Sequence, residues 1–394
     1  MPGPLDGIRV IDVTAMIAGP LATRILADQG ADVIKVEPPG RGDLVRQMGA
    51  ARGGISATFL TANRNKRSVV LDLKNERGLA LLHRLVEGAD CFVQNFRPGA
   101  VERMGIGEEA LRGVRPDLLY VSLSGFGEEG PYAGKRVYDP VVQALSGLAD
   151  VQRDRDSGRP GMMRLIVPDK VTALSAAQAI TAGLLARARS GEGQHLRLAM
   201  LDATVAFLWP EAMAAYTFVG REGRGERARL AQDLVFETRD GYLTAGAVSD
   251  AEWEGLVRAL ERPEWLDDER FTTAAGRVAH ADERLAQVAE VLRERTTAEW
   301  LARLEAEDVP CAPVLRRAEV LEHPQIRANA LIVEDDDPRG GRIRQPRPAE
   351  RFDRTPATLR RPAPALGEHT DEVLAELGLD ASAREALRRE GAVA

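Results

Sequence analysis

Cysteine is scarce: a chain of 394 residues carries two, Cys91 and Cys311. They lie far apart and form no metal-spaced pair. Neither a disulfide framework nor a thiolate metal site is expected, and a reduced, cytoplasmic protein is the simplest reading. Histidine is almost as rare. The five residues His83, His195, His280, His323 and His369 show no HExxH or related spacing, so no zinc site and no other bound metal is expected. No run approaches about 18 apolar residues, so no membrane span is expected. The N-terminal MPGPLDGIRVIDV lacks a basic segment followed by an apolar one, which predicts no signal peptide. Positive charge is not in excess. The net charge of −7 argues against general nucleic-acid binding, while leaving room for a local basic pocket.

What is present is ordinary for a globular protein, with 44% hydrophobic and 29% charged residues and enough length for two or three domains. GIRVIDV (7–13), ADVIKVE (31–37), SVVLDL (68–73), CFVQNF (91–96), LLYVSLS (118–124) and HLRLAM (195–200) read as apolar strands. GPLATRILADQG (19–30) and KNERGLALLHRLVEGA (74–89) read as helices between them. Strands alternating with helices predict an α/β fold with a parallel sheet covered on both faces, whose ligands sit at the strands' carboxyl ends. A long helix is expected from Leu201 to about Val219. The charged, glycine-bearing REGRGERARLA then reads as a linker, taken as 221–232. A different pattern fills 233–329, beginning with a hairpin, VFETRDGYLTAGAV, that has a DG turn.

The stretch RLIVPDKVTALSAAQAITAGLLARARSGEGQ (164–194) places one acid, Asp169, between an apolar run and a long small-residue helix closed by Gly191. Asp is a preferred N-cap. The same carboxylate, held ionised at neutral pH by a helix N-terminus, is also a candidate nucleophile. The residues alone leave both readings open. GFGEEG (125–130) fits GxGxxG, but Pro131 follows at once and Glu128 and Glu129 would repel phosphate. A tight glycine loop is the expectation there. Basic residues cluster in NRNKRS (63–68), Arg97, Arg103 and Lys135–Arg136, on expected loops where together they could neutralise a phosphorylated cofactor.

PLDGIRVIDVTAMIAGPLATRILADQGADVIKVEPPGRGD, NRNKRSVVLDLK, VQNFRPGAVERMG, YDPVVQALSG, VPDKVTAL, ARSGEGQ, VPCAPV and LGEHTDEVLAELG occur in that order. Over nearly the whole chain this resembles the class III CoA-transferases, also called CaiB/BaiF, which include formyl-CoA and carnitine CoA-transferases and the related α-methylacyl-CoA racemases. The resemblance implies a large Rossmann-like domain built from both chain ends, 1–220 and 330–394, with a small α+β domain at 233–329. It also implies an interlinked, ring-like homodimer. It makes Asp169 the nucleophile, carrying a mixed anhydride and then an aspartyl-CoA thioester between an acyl-CoA donor and a carboxylic acid acceptor. CoA is then a substrate, and no tightly bound cofactor is expected. Leu71 to Lys74, Asn95, Phe96, Arg97 and Arg103 match the family's CoA-binding segments, and Arg136 and Tyr138 its basic-x-Tyr element.

The pattern also departs from the family. Formyl-CoA transferases carry His, Gln and Arg where this chain has Ala15, Ile17 and Pro38, and their glycine-run loop is missing. A less polar or larger acyl group than formyl is the expectation. In the racemases a histidine precedes the aspartate of a His-Asp element. Here Tyr138 stands there, a poor base at pH 7. Racemase-like proton exchange and non-catalytic CoA binding remain the two alternatives.

Overall fold

The structure is a computed structural model and describes residues 2–154, 156–220 and 233–394. The expected linker at 221–232 lies outside the described residues. The chain divides into two compact units. One comprises the N-terminal residues to Asp154, Gly158–Trp209 and Ala330–Ala394; the other is mainly Pro210–Asn329.

In chain order the first unit has strands β1 (Arg9–Asp12), β2 (Asp32–Glu37), a short β3 (Ala51–Arg52) and β4 (Ile55–Ser56) hairpin, β5 (Lys66–Val70), β6 (Cys91–Gln94), β7 (Leu119–Ser124) and β8 (His195–Ala199). Its helices include α1 (Ala18–Asp28), α2 (Ala57–Asn63), α3 (Glu76–Glu87), α4 (Ala100–Arg103), α5 (Glu108–Val114), α6 (Asp139–Leu145), α7 (Leu148–Val151), α8 (Val167–Ser190) and α9 (Met200–Leu208). Six strands form one sheet in the order β5-β2-β1-β6-β7-β8, and every pairing is parallel. The order reverses between β1 and β6. That crevice is where a doubly wound sheet presents ligands.

Alternation along each strand sends side chains to opposite faces, and both are buried, which is why the strands read as near-continuous apolar runs. Ile11, Ile34, Val69, Phe92 and Tyr120 face α3, α5 and two C-terminal helices, Thr370–Glu376 and Ala381–Arg389. Val10, Val33, Cys91, Leu119 and Val121 face α1 and α8. The chain end is tied in by an antiparallel bridge from Leu71 to Val393. α8 is long and apolar enough to cross a membrane by length and composition. Here Ala173, Ala176, Ala177, Ile180 and Leu184 pack it against α1 and the sheet, and Gly191 (φ 76°) ends it. Small residues let it approach closely: a Cβ at Gly183 would stand 2.9 Å from Leu119.

Two expected boundaries are corrected. The helix after β8 stops at Leu208, not Val219, because Pro210 has no N–H to donate to the preceding turn and its ring crowds that turn's carbonyl. The third sheet strand begins at Lys66 and ends at Val70, earlier than 68–73. Its first two residues are charged yet buried.

In the second unit β9 (Val235–Glu237) and β10 (Tyr242–Ala245) form the expected hairpin, and β11 (Cys311–Pro313) adds to it. Helices Asp250–Leu260 and Thr297–Ala306 each start with a capping box, Ser249/Glu252 and Thr296/Glu299. Their inner faces pack a core around Trp253, Trp265, Phe271 and Trp300.

Candidate active site

Asp169 is not the N-cap of its own helix. α8 begins at Val167, with Pro168 in its first turn, and the cap position is Ile166, which supplies no side-chain bond. Pro168 explains the shift, because a proline at the start of a helix costs no hydrogen bond and presets φ. Asp169 is half-buried in the first turn. Its main-chain N–H donates to Asp139 Oδ2 at 3.2 Å. Asp139 is buried at the start of α6, and its Oδ1 accepts from Gln143 Nε2 at 2.6 Å. Gln143 in turn holds the approach to α8: its amide donates to the Leu165 carbonyl (3.1 Å), and its oxygen accepts from the Met163 N–H (2.9 Å). Asp139 is therefore a committed acceptor, while the Asp169 side chain stays available.

The Asp169 carboxylate instead meets the start of α1. The N–H of Ala18, the first residue of α1, acts on it and favours its charged form. α1 has no side-chain cap of its own at Ile17. The carboxylate thus occupies the place at a sheet-following helix N-terminus where anions bind. Burial, and then the charge of Asp139, push its pKa up to about 6, and the Ala18 N–H offsets only part of this. The group is still mostly ionised at pH 7, by a margin of about one unit. That margin is narrower than a helix N-terminus alone would give.

The loop from β1 to α1 is fixed from below by buried charge. Asp12, at the end of β1, accepts from Thr14 N–H (2.9 Å), from the Thr23 hydroxyl (2.7 Å) and from Lys66 Nζ (2.9 Å). Burial opposes charge on Asp12, but Lys66 and Lys35 outweigh it and hold its carboxyl well below the usual range. Burial pushes Lys66 down to about 8 against the pull of Asp12. Lys35 Nζ donates to the Thr14 carbonyl at 2.8 Å and pairs with Asp43 at 3.0 Å. Asp43 accepts from the N–H groups of Met16 (3.2 Å) and Val45 (3.1 Å). Asn95 brackets Ala15, accepting from its N–H at 3.0 Å and donating to its carbonyl at 2.8 Å.

Residues 5–370 match the sequence profile described as CoA-transferase family III. The chain belongs to that family. It is 38% identical over 384 residues to the succinate–glutarate CoA-transferase of Agrobacterium fabrum, covering 95% of this chain and 96% of that one. It is 34% identical over 381 residues to the succinyl-CoA:glutarate CoA-transferase of Homo sapiens, covering 95% and 86%. Among solved structures, a CaiB/BaiF family protein from Brucella suis superposes with a TM-score of 0.82 at 32% identity, covering 96% and 100%.

In this CoA-transferase the residues matched to CoA-binding segments are spread along the sheet's carboxyl edge. Phe96 and Arg97, just after β6, line a cleft of about 540 Å³ with Gln94, Ser122, His195 and Arg197. The Leu71 side chain is fully buried, so only its main chain could meet a ligand. Lys74 and Arg103 are exposed, as are Arg136 and Tyr138 in the segment leading to Asp139. The side chain of Asn95 is engaged with the Ala15 main chain.

The NRNKRS cluster is not a phosphate pocket. Arg64 pairs with Asp28 (2.8 Å), Lys66 with Asp12, and Arg67 with Asp32 (2.6 Å), Glu372 and Glu376. All three cations are buried within the fold and matched there. GFGEEG is a loop after β7, with Gly127 (φ 91°) and Gly130 (φ 86°) in left-handed conformation, and the next helix starts only at Asp139. Sequence reasoning missed Asp139, Lys35 and Asp43 as parts of the site. The available signals were the buried lysine inside the apolar run ADVIKVE and the acid of GRGD.

Proposed function

We propose that this CoA-transferase moves CoA from an acyl-CoA donor to a carboxylic acid acceptor through covalent intermediates on Asp169. One observation carries the reading: a half-buried carboxylate rests on the uncapped N-terminus of α1, with its pKa raised to about 6. Such a group is ionised at pH 7 yet poorly hydrated, which is the state a carboxylate nucleophile needs.

The Asp169 carboxylate attacks the thioester carbonyl, the C–S bond breaks, and CoA thiolate leaves an aspartyl–acyl anhydride. The thiolate attacks the aspartyl carbonyl and releases the donor acid, giving an aspartyl-CoA thioester. The acceptor carboxylate displaces the thiolate to form a second anhydride. Thiolate attack on the acceptor's carbonyl then yields the new acyl-CoA and restores Asp169. Each tetrahedral oxyanion needs donors; at the start of α1 Pro20 has no N–H and Leu21 donates to the Ile17 carbonyl, which leaves the N–H groups of Ala18 and Gly19 as the candidates.

CoA itself is assigned to the carboxyl edge of the sheet, with contacts from Leu71, Lys74, Asn95, Phe96, Arg97, Arg103, Arg136 and Tyr138. The exposed cations among them, and the cleft lined by Phe96 and Arg97, support this. The acceptor class proposed is the short dicarboxylic acids, on the printed activities of the relatives. The family likeness supports an interlinked homodimer, and the two unpaired cysteines a cytoplasmic location.

The test is direct. Enzyme given acyl-CoA without acceptor, then treated with hydroxylamine or borohydride, should carry the modification on the peptide containing Asp169. A panel of acyl-CoAs and acids with mass spectrometry of the products then fixes donor and acceptor. An unmodified peptide together with α-proton exchange would replace this reading with the racemase-like one.

A further inference from the structure

The turn between β1 and α1 is held at three consecutive residues by three different side chains. Lys35 holds the Thr14 carbonyl, Asn95 holds both main-chain groups of Ala15, and Asp43 holds the Met16 N–H. Met16 has φ 70°, a left-handed conformation that a residue with a Cβ adopts only when its surroundings impose it. Two residues later comes Ala18, whose N–H meets the Asp169 carboxylate. Lys35 and Asp43 are both fully or nearly fully buried and pair with each other at 3.0 Å. Asp43 is itself fixed, its N–H donating to Glu37 Oε2 at 3.0 Å, while Glu37 is held by Arg46 and Ser68. Asp43, Lys35 and Met16 are thus links of one chain ending at the nucleophile.

We infer that Lys35 and Asp43 are positioning residues for the transfer reaction: they clamp Met16 in its left-handed turn and so aim the α1 N-terminus at Asp169. The inference rests on Asp169 being the nucleophile. The charged groups facing the clamp are Asp12, Lys66, Glu37 and Arg46, all mutually paired. The charged side chain acting on Asp169 itself is Asp139.

Asp43→Ala removes the acceptor for the Met16 N–H. It should lower kcat by about tenfold to a hundredfold, since a misplacement of about 1 Å is worth that much. KM should stay within about threefold, because no substrate contact is lost. The acid limb of the pH–kcat/KM profile should move to higher pH as the Ala18 N–H turns away from the carboxylate. A merely structural residue does not move that limb. Asp28→Asn serves as the control, breaking the buried Arg64 pair at the far end of α1. It should lower the melting temperature and leave the limb in place.

If circular dichroism shows Asp43→Ala unfolded, Lys35→Met/Asp43→Leu, which likewise leaves the Met16 N–H without its acceptor, carries the test. It removes both charges and strands neither, and the same shift of limb and fall of kcat are expected. A folded variant with kcat within threefold of wild type and an unmoved limb overturns the inference. Asp169→Asn, assayed alongside, separates the two failures. If it is inactive, only the clamp is wrong; if it is active, the nucleophile reading falls and takes the clamp with it.

Discussion

The main-chain N–H of Asp169 donates to the side chain of Asp139 at 3.2 Å, so one carboxylate orients the backbone that carries another. Two acids thus share one site with divided labour. Asp139 is buried with both oxygens bonded. Asp169 is half-buried and turned to a helix N-terminus.

The pH dependence of activity follows from that pair. The proposed mechanism needs Asp169 ionised for attack, and its pKa is raised to about 6 by burial and by Asp139. Initial-rate measurements should show kcat/KM falling with a slope of one proton below about pH 6. Asp139→Asn removes the like charge and should move that limb to lower pH by roughly half a unit to one unit. It should also destabilise the fold by about 1–3 kcal/mol, because its amide cannot accept from both Gln143 and Asp169.

Asp169→Asn separates chemistry from architecture. Asn keeps an acceptor for the Ala18 N–H but forms no anhydride, so transfer should vanish while circular dichroism stays native. The sign of its effect on stability is also fixed. An acid whose folded pKa lies above its unfolded value near 4 is destabilising when ionised. That penalty is absent below about pH 4, grows through the interval and is complete above about pH 6. Urea unfolding should therefore show the variant as stable as wild type at pH 4 and more stable at pH 7.5, by about 1–3 kcal/mol.

The NRNKRS cations make a contrasting case. Arg64 is 2% exposed and bonded to Asp28, Gln345 and the Pro346 carbonyl. Arg64→Ala removes one of the partners of Asp28, which keeps Arg24 and Asn65, and should cost about 1–3 kcal/mol in denaturant unfolding. CoA affinity of the folded fraction should not change. A fall in affinity without loss of stability would return this cluster to the binding site.

What the sequence made legible, and what it hid, divides along the range of the interactions. The βαβ order and the apolar face of α8 were readable because each is written within a dozen or so residues, as is the DG hairpin. The fate of NRNKRS was not, because the acids that pair with Arg64, Lys66 and Arg67 come from β1, β2, the end of α1 and the C-terminal helix Thr370–Glu376. Asp169 looked like a cap for α8 because the eye pairs a carboxylate with the helix that follows it. Its partner is α1, some 150 residues earlier in the chain. The clamp on Met16 was invisible for the same reason: Lys35, Asp43 and Asn95 converge only when β1, β2 and β6 are neighbours.

The binding of CoA offers the last test, because Arg97 and Arg103, two of the three exposed arginines proposed for it, differ in setting. Arg97 lines the cleft beside Phe96, whereas Arg103 ends α4 outside the residues that line it. If both reach phosphate groups, each supplies a charge-assisted bond, and losing one should cost roughly 1.5–3 kcal/mol, about tenfold or more in Kd. Arg97→Ala and Arg103→Ala should each weaken CoA by that factor in titration calorimetry and reduce the dependence of Kd on salt. Neither substitution touches the Asp169–Ala18 contact, so turnover at saturating acyl-CoA should be nearly unchanged. Unchanged affinity in Arg103→Ala with a loss in Arg97→Ala would confine CoA to the cleft. The reverse result would place it along α4 and leave the cleft for another ligand.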